Sequence, residues 1–456
     1  MKRKLFTAAS SAAIVLMSAQ NGFCADKIAI EPFKQNERIV FFGDSITHGG
    51  ECHMHVLLAQ ALRHQGSNVI IYNGGISGGT AGGGFARIDY DILAKRPDRV
   101  FIMFGMNDVG ITHYNGKSDE KTKATRAKCL ANYKSNMIKC IEKIMAAGKK
   151  VVLVTPTPYD EYTPQFKAEK LVGANEEGLA GCARIVRELA ATYKLPYVEF
   201  FEPQTAIIKK QQGIFGRDDR VHPNSVGHCV MAAMLLEAIG ENPLKITAEV
   251  NAATGSHKAE NVKIENVKTV PGGVSFKYTP AVLPFPMNKN MEKAEAIYPV
   301  AAAFNNEKLT VTDLTKGAYE ITAGNHSLGT FTNEQLAAGI NMASLKTPAL
   351  LAASKAAEIK DKIYRLNSQL RGIVMMRRTV NAKGKCATME AEFAALDAFL
   401  QEPSIKKNKY YHNMVASYKK DRPNEDALIK ELEGLYPKLY ASAKTFGFDV
   451  VIKKVK

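Results

Sequence analysis

Between Arg38 and about Gly240 the chain alternates short apolar runs with helical stretches, and this alternation restricts the fold more than any other feature. Arg38-Ile39-Val40-Phe41-Phe42, Asn68-Val69-Ile70-Ile71-Tyr72, Val100-Phe101-Ile102-Met103-Phe104, Val151-Val152-Leu153-Val154 and Tyr197-Val198-Glu199-Phe200-Phe201 are the five runs. Continuous apolar runs suit parallel strands covered on both faces. The clearest intervening helix is expected from about Asp119 to Ala147, with Leu130, Tyr133, Met137, Ile141 and Ile144 at helical spacing and Gly148 as its stop. Strand–helix alternation of this kind predicts a doubly wound α/β sheet. Residues 26–242 are read as that domain.

After Pro243 the pattern changes. Val262-Lys263-Ile264, Val274 to Tyr278, Leu309-Thr310-Val311 and Tyr319 to Thr322 read as short strands, with Gly324-Asn325 as a hairpin turn. Thr332 with Gln335 resembles a capping box. Residues 243–350 are expected to form a β-rich accessory region. From about Ala352 the chain reads as helical, with Ile359, Ile363, Leu366 and Leu370 forming an amphipathic stripe that suits a core face. Residues 351–456 are expected to form a helical C-terminal region.

Lys2, Arg3 and Lys4 precede an apolar stretch from Leu5 to Met17, which is the pattern of an export signal and too short to span a bilayer. A signal peptide over 1–25, cleaved after Ala25 or Ala19, implies a secreted or periplasmic protein with no transmembrane segment. Six cysteines follow it: Cys52, Cys129, Cys140, Cys182, Cys229 and Cys386. Their spacing shows no disulfide scaffold and no CxxC pair, so buried free thiols are expected. The formal net charge of +16 favours anionic surfaces or an anionic polysaccharide as partner. No motif for nucleic acid accompanies that charge. His48, His53, His55 and His64 crowd one region, but i and i+2 on a helix diverge, which disfavours a metal site. No cofactor is expected. The glycine-rich stretch Gly74 to Gly84 lacks both the Walker ending and the dinucleotide spacing.

Four short blocks carry the chemistry: Gly43-Asp44-Ser45-Ile46-Thr47, Asn73-Gly74-Gly75-Ile76-Ser77-Gly78, Gly105-Met106-Asn107-Asp108 and Asp219-Arg220-Val221-His222. The first three fall at or just after the carboxyl ends of strands, where open α/β sheets place their sites. Ser45 is a weak nucleophile unless a base reaches it. His222 is the candidate base, with Asp219 three residues earlier to hold its tautomer. The backbone of Gly78 and the amide of Asn107 are candidate donors to an oxyanion. Taken singly, each block also reads as a helix cap, a flexible loop or a surface turn.

In order, the four blocks resemble those of the SGNH hydrolase superfamily, also called GDSL esterases/lipases. The resemblance covers 38–240 and implies a flavodoxin-like three-layer α/β/α domain. It implies Ser45 as nucleophile and backbone donor, Gly78 and Asn107 as the other oxyanion donors, His222 as base and Asp219 as its orienter. Asp218 adjoins Asp219, and a differently bent loop would let it take that place.

Three functions follow as expectations. The first is a serine carboxylic ester hydrolase that removes acetyl groups from carbohydrate. The second is a lipase, lysophospholipase or arylesterase on the same scaffold, because fold and triad do not fix the acyl group. The third is an anionic glycan-binding protein with degenerate catalysis, its residues 243–456 acting as accessory module or as buttress.

Overall fold

The computed structural model describes residues 28–455 apart from Ser118, Lys383 and Lys385. The expected signal peptide lies outside the described residues. Strands β1 (Arg38–Gly43), β2 (Ile70–Gly75), β3 (Arg99–Met103), β4 (Lys150–Val154) and β5 (Tyr197–Val198) form a parallel sheet in the order β2-β1-β3-β4-β5. That is the flavodoxin-like order, whose switch point lies between β1 and β3. Helices α1 (Ser45–Gly49), α2 (Glu51–Arg63), α3 (Ala81–Phe85), α4 (Glu120–Ala146), α5 (Ala180–Tyr193), α6 (Phe201–Lys210) and α7 (Ser225–Ala238) alternate with these strands. The three central strands are buried almost throughout, as continuous apolar runs require.

Local chemistry sets the element ends. Asp119 caps α4 through Thr122 N–H, and Gly148 adopts φ +72° beyond its end, a left-handed geometry that glycine accepts without strain. The fifth apolar run is shorter as a strand than expected. Thr155 Oγ1 accepts the N–H groups of Phe200 and Phe201 at 2.7 and 3.0 Å, and the chain turns at once into α6. The hydroxyl takes the donors that a longer strand would have paired.

Two further sheets follow. β6 (Ile246–Asn251), β7 (His257–Glu260), β10 (Glu307–Thr312) and β13 (Ile340–Asn341) order as β13-β10-β6-β7. β8 (Val262–Val270), β9 (Gly273–Pro280), β11 (Ala318–Ala323), β12 (His326–Thr332) and β14 (Phe448–Lys454) order as β12-β11-β14-β9-β8, antiparallel throughout. The short helices α8 (Lys289–Ala294), α9 (Val300–Phe304) and α10 (Asn333–Ala338) lie among them, and α10 opens with the Thr332–Gln335 capping box. The helical C-terminal region comprises α11 (Pro348–Asn381), α12 (Met389–Leu400), α13 (Lys409–Asp421) and α14 (Glu425–Ser442). The strand β14, which helical periodicity did not suggest, leaves this region and pairs between β11 and β9. Its buried positions alternate (Phe448, Val450, Ile452), as a strand with one covered face demands.

One hydrophobic core runs from the parallel sheet through the later sheets and along the inner face of α11 and α14. A second, smaller core joins α11, α12 and α13, and Ile76 of the second sequence block is part of it. Among the described residues no helix is long and apolar enough to cross a membrane. Cys52, Cys129, Cys140, Cys182, Cys229 and Cys386 are free thiols.

Candidate active site

The strand β1 ends at Gly43, and the chain turns directly into α1. The turn is tight: a Cβ on Gly43 would stand 2.2 Å from Thr47 Oγ1 and 2.5 Å from the carbonyl oxygen of Met103. Asp44 caps α1 by accepting the Ile46 N–H at 2.9 Å. Ser45, half-buried, is therefore the first residue of a helix at the carboxyl end of β1, beside the switch point. Burial pushes the Asp44 carboxyl up to about 7, with the nearby Asp108 charge adding to the shift.

The structure brings His222 to Ser45. His222 Nε2 lies 2.8 Å from Ser45 Oγ, and Nδ1 lies 2.7 Å from Asp219 Oδ2. Asp219 Oδ1 accepts the backbone N–H groups of Val221 and His222 at 3.0 and 2.9 Å. Partial burial pushes the Asp219 carboxyl up, but the backbone and side-chain hydrogen bonds from His222 outweigh it and hold the group below the ordinary carboxylate range. Arg220, whose φ is +64°, anchors this turn by donating to the carbonyls of Asp160 and Thr163 at 3.0 and 2.7 Å. Asp218 is directed elsewhere and pairs with Lys167 at 3.1 Å.

The other two blocks converge on the same end of the sheet. Asn73, Gly74 and Gly75 are the last residues of β2, and Asn73 Oδ1 accepts the Gly75 N–H at 2.8 Å. Gly78 is exposed with φ +67°. The backbone N–H groups of Ser45 and Gly78 make no hydrogen bond with any described residue. Asn107 follows β3 and donates one amide hydrogen to the carbonyl of Gly79 at 2.8 Å, leaving the second available. Asp108 ties this loop to the next by accepting the Ala81 N–H at 2.9 Å, and burial pushes its carboxyl up to about 6.

His48 braces the second block. Its Nδ1 lies 2.9 Å from Ser77 Oγ and accepts the Ser77 N–H at 3.3 Å. Burial, reinforced by the charges of Arg371 and Arg87, pushes the ring down to about 4, so it is neutral at neutral pH. The other histidines have separate neighbours: His53 stacks on Phe41, His55 approaches Cys229 at 3.8 Å, and His64 pairs with Glu241 at 2.7 Å. His228 is packed inside α7, and burial pushes it down to about 4. Among the described residues no group of three or more His, Cys, Asp or Glu side chains could hold a metal ion.

Residues that the sequence did not single out also meet here. Arg87 Nη2 donates to the carbonyl of Gly43 at 3.0 Å, and Arg371 Nε donates to that of Gly75 at 3.0 Å. Both guanidiniums bind the buried Asp91.

A three-layer α/β fold with a serine, an imidazole and a carboxylate aligned at its switch point holds the parts that acyl transfer through a serine needs. Residues 41–230 match the GDSL-like lipase/acylhydrolase family, part of the SGNH superfamily. It is 26% identical to an acetylxylan esterase of Geobacillus stearothermophilus over 220 residues, 45% of this chain and 94% of that protein. It is 31% identical to an arylesterase of Vibrio mimicus over 139 residues, 29% of this chain and 62% of that protein. Beyond the family region, a solved structure described as a gut microbial diltiazem-metabolizing enzyme superposes with a TM-score of 0.85 at 27% identity, covering 94% of this chain and 99% of that one. That likeness includes the later sheets and the C-terminal helices as well as the hydrolase domain.

Proposed function

We propose that this carboxylic ester hydrolase removes acetyl groups from carbohydrate through an acyl-enzyme on Ser45. The observation that supports it most is the unbroken Ser45–His222–Asp219 hydrogen-bond chain, at 2.8 and 2.7 Å. Asp219 accepts the Nδ1–H of His222, which leaves Nε2 with a lone pair directed at the Ser45 hydroxyl. In the first step Ser45 Oγ attacks the ester carbonyl carbon while its proton passes to Nε2. The oxyanion that forms is met by the N–H groups of Ser45 and Gly78 and the spare amide hydrogen of Asn107. Each such donor is worth on the order of 10²–10³ in kcat. The imidazolium then gives its proton to the departing sugar oxygen. In the second step water, deprotonated by His222, attacks the acyl carbon, and acetate leaves with Ser45 restored. No cofactor enters this scheme.

The acetyl and carbohydrate parts draw support from the acetylxylan esterase relative. The leader-like start of the sequence and the net charge of +16 suit a secreted or periplasmic enzyme working on an anionic polysaccharide. A second reading, hydrolysis of small aryl or drug esters, draws support from the whole-chain likeness to the diltiazem-metabolizing enzyme and from the arylesterase relative. One experiment addresses both. Release of acetate from acetylated xylan and turnover of diltiazem are measured beside a p-nitrophenyl ester series from acetate to palmitate, with Ser45→Ala as control. Preference for acetate and total loss in Ser45→Ala are expected. Full activity in Ser45→Ala overturns the mechanism, and a preference for palmitate overturns the acetyl assignment.

A further inference from the structure

The strand β2 is the edge of the parallel sheet, where backbone groups on the outer side have no neighbouring strand. Side chains of the C-terminal helices take those groups one after another, at every second residue. Tyr440 of α14 donates to the carbonyl of Val69 at 3.2 Å, and Tyr436 donates to that of Ile71. Asn367 of α11 accepts the Asn73 N–H at 3.3 Å, and Arg371 of α11 donates to the carbonyl of Gly75 at 3.0 Å. The period of two is that of a strand, so α11 and α14 stand in for a missing sixth strand.

The last rung is at the site. Gly75 ends β2, three residues before Gly78. Ile76, the next residue, is fully buried, and its side chain belongs to the small core of α11, α12 and α13 rather than to the core of the sheet. Its N–H reaches back to the carbonyl of Gly43 at 3.1 Å. The Arg371 guanidinium continues to Asp91, at 2.6 Å to Oδ1 and 2.7 Å to Oδ2, and Asp91 also binds Arg87, which holds the Gly43 carbonyl. Arg87, Asp91 and Arg371 are each 1% exposed. One buried carboxylate thereby links the strand end that precedes Ser45 to the strand end that precedes Gly78. Tyr364 of α11 adds a contact to the carbonyl of Gly49 at 2.8 Å, at the far end of α1.

We infer that α11 is a positioning element of the hydrolase, with Arg371 as the positioning residue that sets the Gly75–Gly78 loop against Ser45. This rests on the proposed reading of Ser45 and Gly78 as nucleophile and oxyanion donor. A planar guanidinium can serve the Gly75 carbonyl and both Asp91 oxygens together; a lysine keeps the charge and loses that geometry.

The test is Arg371→Lys in the full chain, assayed on p-nitrophenyl acetate well below its melting temperature. Ile321→Val in β11, buried far from these loops, is the destabilised control. The expected result is a loss in kcat of about 10- to 100-fold with KM within about threefold, because a loop displaced by about 1 Å stabilises the transition state less well while the substrate still binds. Ile321→Val should keep its kcat, which separates positioning from general destabilisation. Should Arg371→Lys fail to fold, Asn367→Ala removes the rung at Asn73 and is expected to lower kcat about 3- to 10-fold. Normal kcat in a folded Arg371→Lys, or in Asn367→Ala where it is the variant read, overturns the inference. Ser45→Ala, run alongside, tells the two readings apart. Its inactivity with a normal Arg371→Lys sinks only the positioning role, whereas its full activity sinks the acyl-enzyme reading beneath it.

Discussion

Gly75→Ala is expected to be among the most damaging single-methyl changes in the molecule, and its size can be worked from geometry. A Cβ at position 75 would stand 2.1 Å from the backbone nitrogen of His48, 2.6 Å from the carbonyl carbon of Thr47 and 2.7 Å from the His48 Cα. Ordinary contact begins at 3.4 Å, so the closest approach falls about 1.3 Å short. All three atoms are backbone, so no side chain can swing aside. Either β2 or the helix that starts with Ser45 must move, and a misplacement of about 1 Å near reacting atoms costs on the order of 10²-fold in rate. That corresponds to about 2.7 kcal/mol of barrier, with a further 1–3 kcal/mol of stability lost to overpacking. Gly78→Ala provides the contrast. It has nothing within 4 Å of the new Cβ, and its cost is only that of φ +67° for a non-glycine residue, about 1–2 kcal/mol. The assay is kcat/KM on p-nitrophenyl acetate together with the melting temperature of each variant. Gly75→Ala with wild-type kcat and melting temperature would refute the reasoning, because the two backbones would then have room that the structure denies them.

Asp44 makes stability depend on pH. Its folded pKa of about 7 lies above the ordinary 3.8, so the native state keeps a proton that the unfolded chain releases, and the stability present below about 3.8 is lost as pH rises towards 7. Asp44→Asn, neutral throughout and still able to cap α1, should therefore gain in melting temperature relative to wild type from pH 4.5 to 8; a constant difference would contradict this. Asp219→Asn should lower kcat by on the order of 10²–10⁴, because an amide no longer fixes the Nδ1–H tautomer. Asp218→Asn, which loses only an exposed pairing with Lys167, should stay near wild type, and the reverse ranking in steady-state assays would reassign the orienting carboxylate. With the six described cysteines as free thiols, added reductant should leave the melting temperature unchanged; a clear drop would reveal a disulfide.

The parallel sheet and the convergence of the four blocks were legible because both rest on short-range signals. A run such as Val100 to Phe104 can hide both faces only inside a sheet, and Ser45, Gly78 and Asn107 each lie just beyond such a run. His222 needed only a loop that returns to the same edge. The link to Asp91 was not legible. Arg87, Asp91 and Arg371 meet across nearly three hundred residues, and nothing in local composition ties an arginine on α11 to the carbonyl of Gly75. A faint signal existed: Asn367 and Arg371 sit four residues apart, in line with Ile363, Leu366 and Leu370 on the stripe read as a core face. Polar groups on an apolar stripe ask for buried partners. The hydrophobic residues of that stripe alone already account for a core face, so the polar pair adds little to the pattern. The strand β14 is not legible because seven residues of alternating pattern are a weak signal beside about a hundred of helical character.

The place of β14 has a bearing on how the polypeptide matures. Phe448–Lys454 pairs with β11 on one side and β9 on the other, so these two have no direct ladder between them. A ribosome delivering the chain in order would expose both with a gap waiting for a segment more than a hundred residues away. The antiparallel sheet cannot close during synthesis until that segment has emerged. Until then its unfilled flanks are open to intruding strands, so early translational stops should yield aggregates rather than a smaller soluble product.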